Sequence, residues 1–280
     1  MYEYLLSAYR DPMFLMFPIY TTILGVFLYL LFALPLSAIA HFDPVWARKY
    51  KVSDRPINVS EYFLKSLGLL FGHNAVLLVI LTIAWPVVRL LGVHAGPMPP
   101  WWVVILQILI FLYVDDFLTY WAHKALHVGW FFKKIHSIHH RVSHPSAMDN
   151  SYFHFAEFLI LMATGQVAPL LMGANIYVIW IWLAIRIWQS VVGHCGYAFW
   201  WDPVRLVPLY EGGDYHYFHH IDARGNISGI LPYLDRIWGA VAPKYAIYKG
   251  ERLGGKRRFL KLRWNPSQAV ARRQPSSRGK

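Results

Sequence analysis

Two histidine-rich segments bracket an apolar stretch too long for one ordinary membrane crossing, and that arrangement limits what this chain can fold into. His123 to His140 reads H-K-A-L-H-V-G-W-F-F-K-K-I-H-S-I-H-H, five histidines in eighteen residues. On a helix, His123 and His127 share a face at i, i+4, and His136, His139 and His140 do so at i, i+3, i+4. His216, His219 and His220 later repeat the H-x-x-H-H spacing. Imidazole suits iron, zinc, copper and nickel. Here the ligands outnumber the three or four that one zinc takes, which points to two metals, and such ions sit roughly 3.5–4 Å apart. With histidine at 14 of 280 residues, a chance recurrence of H-x-x-H-H is rare. The third cluster must reach the same metals as the first two, so the chain between them must return to the side it left. Phe158 to Val192, interrupted by Gly165, Pro169 and Gly173, is long for one crossing and short for two ideal ones. It is read as a tight hairpin, either two short spans or a partly re-entrant pair.

Composition supports a membrane setting. Hydrophobic residues make up 56% and aromatics 17% of the chain, with a mean hydropathy of +0.34, too apolar for an ordinary soluble domain. Met13 to Ala40 is nearly uncharged and long enough to cross a bilayer. A second run, roughly Ser66 to Leu91, contains His73 and Asn74 as polar intrusions and Pro86 as an expected kink. The third opens on Trp101 and Trp102, read as interface anchors, and runs to about Trp121. The expected fold is all-α integral membrane, a single domain over residues 1–280. It has about four transmembrane helices, the last two a short hairpin, with spans at about 13–40, 66–91, 101–121 and 158–192, the hairpin lying in 158–192. A cytoplasmic helical cap with the boxes at 123–140 and 216–220 holds the dimetal site.

Charge sets the orientation. Segments 41–61, 121–157 and 193–280 carry Lys and Arg, whereas 92–100 carries neither. By the positive-inside rule the N-terminus is then outside, and the histidine clusters and C-terminus are cytoplasmic, in a bacterial inner membrane or the endoplasmic reticulum. The net charge of +12 reads as membrane-surface charge. A nucleic-acid partner is not expected, because no soluble reader domain carries the basic residues. The lone Cys195 excludes an internal disulfide framework. No basic n-region precedes the first apolar run, so no secretory leader is expected. The Asn58-Val-Ser60 sequon would face the cytoplasm and is discounted. The Ser/Arg/Pro-rich tail at about 265–280 is expected to be disordered.

Neither His123 nor His136 is followed by the Glu of H-E-x-x-H hydrolases. A zinc-dependent membrane hydrolase using the same histidines nevertheless stays open as a rival. Many neutral ligands on iron suit dioxygen activation, and a site at the membrane face suits a lipid substrate. The box pattern, with its short eight-residue gap between His127 and His136, resembles the fatty acid hydroxylase/sterol desaturase superfamily over roughly Asp116 to Gly239. The closest likeness is to the 4-methylsterol oxidase branch. It lies in Ser151-Tyr-Phe-His-Phe-Ala-Glu157, in Arg186 and Gln189, in His194-Cys-Gly-Tyr-Ala-Phe-Trp200, in Asn226 and in Leu234-Asp-Arg-Ile-Trp-Gly239. Phe155, Trp200 and Tyr217 depart from that branch's usual Pro, Pro and Asp.

The resemblance implies a dioxygen-dependent di-iron hydroxylase or desaturase acting on a C–H bond of a sterol or other membrane lipid. Fatty-acyl or alkylglycerol hydroxylation is the alternative within the superfamily. It further implies two iron ions, dioxygen as co-substrate, and electrons from NAD(P)H through a reductase and a cytochrome b5-like or ferredoxin carrier, which a cationic face would help to dock. The expected ligands are His123, His127, His136, His139, His140, His216, His219 and His220, and the resemblance adds His194. Glu157 is expected to orient an imidazole, and His154 is left open between ligand and structural residue. Asp116, seven residues before His123, shares its face on a continuous helix and is expected to support an iron-bound histidine. Asp115 is read as pointing elsewhere, to cap or snorkel. Arg186 must pair with something inside the hairpin or reach the surface. His41, His73, His94 and His144 match no box and are expected to be non-ligands.

Overall fold

A computed structural model describes residues 2–253; the tail at 265–280, expected to be disordered, lies outside the described residues. Among the described residues all regular structure is helical, apart from two isolated bridges, Lys51 with Tyr197 and His94 with Asn175. The main helices are α1 (Tyr2–Arg10), α2 (Leu15–Phe42), α3 (Val59–Leu91), α4 (Trp101–Leu126), α5 (Phe155–Leu171), α6 (Ile176–His194), α7 (Gly213–Ile221), α8 (Tyr233–Ile237) and α9 (Pro243–Leu253). Of these, α2, α3, α4 and α6 are long and apolar enough to cross a membrane, and α5 is a shorter apolar helix. Ile23, Phe27, Leu64, Val79 and Ile83 are all exposed on α2 and α3, as lipid-facing surfaces require.

Helix boundaries run past the apolar windows. α3 begins at Val59 and α4 continues to Leu126, because a helix stays hydrogen-bonded after its sequence turns polar. His123 therefore sits on the last turns of a spanning helix. The expected helix through His123–His140 does not form. The chain breaks after Leu126, and His136 ends a π-helical turn, Phe132–His136, followed by a 3-10 turn, His139–Arg141.

Two prolines are tolerated for a visible reason. A helical proline leaves the carbonyl four residues earlier without its donor. The Tyr9 hydroxyl donates to the Thr82 carbonyl freed by Pro86, and the Trp182 Nε1–H donates to the Gly165 carbonyl freed by Pro169. α3 accordingly continues through Pro86 to Leu91.

The hairpin is present as α5 and α6, with α5 packed along α4 and α6 along α2. Its tip is tied to the 92–100 loop. The Ile176 N–H donates to the His94 carbonyl at 2.9 Å, and Asn175 Nδ2 donates to the Gly96 carbonyl at 2.7 Å. Gly173, at φ +53°, lies where a Cβ would come 2.9 Å from the Leu91 carbonyl oxygen, so a side chain there would block the closure. The start of α5 and the end of α6 are thus brought to the end of the bundle where α4 delivers His123.

Candidate metal centre

Nine buried or half-buried histidines gather at that end in two groups. The first holds His123, His127, His136, His140 and His219; the second holds His139, His194, His216 and His220. Within each group the candidate ligand atoms lie within 4.8 Å of one another. The box spacing explains the division. In every box the i, i+4 pair stays together, His123 with His127, His136 with His140, and His216 with His220. The remaining member of each H-x-x-H-H box, His139 or His219, crosses to the other group.

Backbone carbonyls fix the tautomers of five of these rings, and the Glu157 carboxyl meets a sixth, His136. Nδ1–H of His123 donates to the Ile227 carbonyl at 2.6 Å, that of His219 to Gly225 at 2.8 Å and that of His139 to Tyr152 at 3.2 Å. His194 donates in the same way to Ser190 at 2.7 Å and His220 to Val142 at 3.1 Å, while His136 donates to the Glu157 carboxylate at 2.8 Å. A neutral imidazole with its proton on Nδ1 has only a lone pair on Nε2. Yet Nε2 of His123 lies 2.9 Å from Nε2 of His136, and Nε2 of His139 lies 3.2 Å from Nε2 of His194. Two lone pairs that close repel unless a cation sits between them. Nitrogens about 2.1 Å from one ion and about 90° apart would be about 3 Å from each other. In addition, His140 Nδ1, His216 Nδ1 and His220 Nε2 are buried without a hydrogen-bond partner. The donor set therefore fits metal ions, one per group.

Burial keeps the rings neutral. Desolvation holds the imidazoles of His127 and His139 down to about 4 and pushes those of His136, His140, His216, His219 and His220 well below the ordinary imidazole range. Neutral imidazoles bind metal without first losing a proton.

The supporting frame comes from the segment after α7. Gly225 and Ile227 offer the carbonyls that hold His219 and His123. Fully buried Asn226, at φ +55°, braces that loop by donating to the Tyr215 carbonyl and accepting from the Ala242 N–H. Asp235 accepts from the Tyr215 hydroxyl and the Ser228 N–H. α7 itself sits hard against the end of α6, where a Cβ on Gly213 would come 2.5 Å from the Val192 carbonyl oxygen. Sequence reasoning missed these backbone acceptors; Asn226 and Asp235 were the visible trace of them.

A family model described as fatty acid hydroxylase matches residues 108–240. A very-long-chain aldehyde decarbonylase of Oryza sativa subsp. indica is 33% identical over 195 residues, 68% of this chain and 73% of its own. The chain belongs to the fatty acid hydroxylase family. Other family relatives include methylsterol monooxygenase 2-2 of Arabidopsis thaliana, 35% identical over 68% of this chain and 73% of its own. A putative methylsterol monooxygenase of Dictyostelium discoideum is 34% identical over 71% of this chain and 74% of its own. No solved structure matches. Membership of this family, with its spanning helices, makes the chain an integral membrane protein, and the matched region contains all three boxes.

Other expected members of the family site fall differently. Glu157 lies 2.8 Å from Nδ1 of His136. His154 is exposed, and its Nδ1 accepts from the Ala156 N–H to cap α5, so it stands outside both groups. Asp116 does share a face with His123, but neither touches the other. The loop after α7 lies against both, taking the His123 proton at Ile227 and giving the Leu231 N–H to Asp116 at 3.0 Å. Asp115, read as pointing elsewhere, is 3% exposed and is the partner that Arg186 required, at 2.7 Å. Glu157→Gln should weaken metal binding about 10- to 100-fold, because an amide is a poorer partner than the carboxyl for the Nδ1 that orients the His136 ring. Metal titration of the apoprotein measures this.

A cavity of about 580 Å³ opens from the histidines and runs between the spanning helices, a size suited to one sizeable small molecule. It touches His123, His136, His139, His194 and His216 at one end. On α3 its lining residues include Leu70, His73, Leu77, Ile80 and Val88, one stripe at helical spacing.

Proposed function

We propose that this protein is a dioxygen-dependent di-iron oxidase that hydroxylates or desaturates a C–H bond of a sterol or related membrane lipid. One observation carries the reading: two groups of imidazoles each gather their ring nitrogens within 4.8 Å of one another at the end of an apolar cavity. His123, His127, His136, His140 and His219 would hold one iron, and His139, His194, His216 and His220 the other. Iron bound there supplies dioxygen activation, which many neutral imidazoles suit. Hydroxylation consumes one dioxygen, two electrons and two protons per C–H bond and yields an alcohol and water. Desaturation takes the same inputs and yields two waters.

The chain's own residues bind and position. The stripe on α3 receives the lipid body, the hydrogen bonds to Nδ1 fix each ring, and burial excludes water from the reacting carbon. Electrons would come from NAD(P)H through a reductase and a cytochrome b5-like or ferredoxin carrier. Lys133, Lys134 and Arg141 are exposed on the segment that carries His136, His139 and His140, and their charge suits an acidic carrier. The Lys/Arg-free loop at 92–100 meets the hairpin tip at the opposite end, which supports a cytoplasmic site in a bacterial inner membrane or the endoplasmic reticulum.

The test is metal content together with oxygen uptake. Protein purified in mild detergent, loaded anaerobically with ferrous iron and given reductant and carrier, is offered a 4-methylsterol, fatty acyl lipids, an alkylglycerol and a very-long-chain aldehyde. About two irons per chain and lipid-dependent uptake, with a product one oxygen heavier or two hydrogens lighter, are expected. One tightly held zinc and no uptake with any lipid would establish the hydrolase instead.

A further inference from the structure

One histidine of the cavity wall belongs to neither metal group. His73, on α3, is 7% exposed and lines the cavity. Its ring is fixed by three phenylalanines. Phe153 stacks on it at 5.6 Å and 8°, Phe158 at 5.2 Å and 24°, and Phe155 lies at 5.5 Å and 44°. Among the described residues neither ring nitrogen has a hydrogen-bond partner. Buried polar groups are nearly always paired, and an aromatic cage would be filled as well by phenylalanine at no desolvation cost. The His73 nitrogens are not sealed in protein but open on the cavity with no protein partner, so what fills the cavity must supply one, which points to a ligand.

The position says which end of the ligand it meets. Phe153 also contacts the His139 ring at 5.9 Å, so one aromatic ring separates His73 from a candidate metal ligand. Farther along the same stripe come Leu77, Ile80, Leu81 and Val88. Val88 lies fifteen residues beyond His73, about 22 Å along the helix. The polar reader therefore stands at the histidine end, and the apolar body of the ligand extends away from it.

Charge says which oxygen. Arg186, on the same cavity wall, is already committed to Asp115, the Leu161 carbonyl and Thr164. Its charge is balanced, so this wall offers no free side-chain cation to pair with a carboxylate or phosphate of the lipid, and Phe153 stands between His73 and the metal-binding rings. A hydroxyl can both donate to and accept from a neutral imidazole. We propose that His73 recognises an uncharged hydroxyl of the lipid, and so selects lipids whose hydroxyl and oxidised C–H bond lie at the same end. This rests on the lipid-oxidase reading and adds the residue that chooses among lipids.

Direct binding tests it without turnover. His73→Phe keeps the ring and the stack but removes both nitrogens, and His73→Gln restores a donor and an acceptor. Wild type and both variants are titrated, in detergent, with a 4-methylsterol and with its 3-deoxy counterpart, while bound iron and melting temperature are followed in parallel. Wild type should prefer the hydroxylated sterol. His73→Phe should bind it about tenfold more weakly, the worth of one buried hydrogen bond, while holding the deoxy sterol as wild type does; His73→Gln should recover part of the preference. Equal weakening toward both sterols, an unchanged preference in His73→Phe, or no preference in wild type would each overturn the proposal. Failure of the oxidase reading shows separately, as absent oxygen uptake by iron-loaded wild type.

Discussion

Changing His219 or His136 to alanine should leave about one bound iron or fewer per chain and reduce turnover by more than 100-fold. Each ring is central to the five-membered group. His219 Nε2 lies 3.0 Å from that of His127 and 3.1 Å from that of His140. His136 Nε2 lies 2.9 Å from that of His123 and 3.0 Å from that of His140. Losing a residue that merely orients a ligand costs about 10- to 100-fold, so losing a ligand should exceed that. His94→Ala and His154→Ala are the controls. His94 accepts a local N–H from Gly96, His154 accepts one from Ala156, and neither belongs to a group. Iron analysis and oxygen uptake on the four variants check the assignment, and a full complement of iron in His219→Ala would sink it.

The largest stability effect should come from the ion pair inside the bundle. Arg186 Nε donates to Asp115 at 2.7 Å, with side chains only 14% and 4% exposed. The guanidinium lies directly over Gly165, where a Cβ would come 2.4 Å from Nε. Asp115→Ala strands this cation and should cost about 3–5 kcal/mol. Replacing both partners by apolar residues, Asp115→Leu with Arg186→Met, should recover most of the loss, since the pair has to be desolvated to form at all. Thermal unfolding in detergent compares the two variants. A double variant no more stable than Asp115→Ala would show that the pair adds more than mutual neutralisation.

Much of this was legible in the residues. Hydropathy located the spanning helices, and the need for two distant boxes to meet required the hairpin at 158–192. Spacing picked out the histidines that the fold gathers into two groups, apart from His194, which stands alone in sequence. What the sequence hid was the division of each box between groups, because that depends on the break after Leu126 and the π-helical turn at His136. Asp116 was misassigned for a related reason. Helical periodicity identified the face it shares with His123 but could not show that the 225–231 loop lies against that face. Asp115 and Arg186 pair across 71 positions, a contact that no local pattern announces. His73 was set aside because it matches no box, and only the cavity gives it a neighbourhood.

The tie between the hairpin tip and the 92–100 loop carries a consequence for construction. α6 begins at that tie and ends at His194, a helix of nineteen residues and a rigid rod of about 28 Å. α4 leaves the same loop and ends beside His123. Both rods are thus measured from one datum on the far face of the bundle, and the level at which their imidazoles meet is set there. A residue inserted at the tip would touch no ring of either group, yet it would shift one rod's end against the other and pull the gathered nitrogens apart. The accuracy of the centre is decided at the opposite end of the bundle.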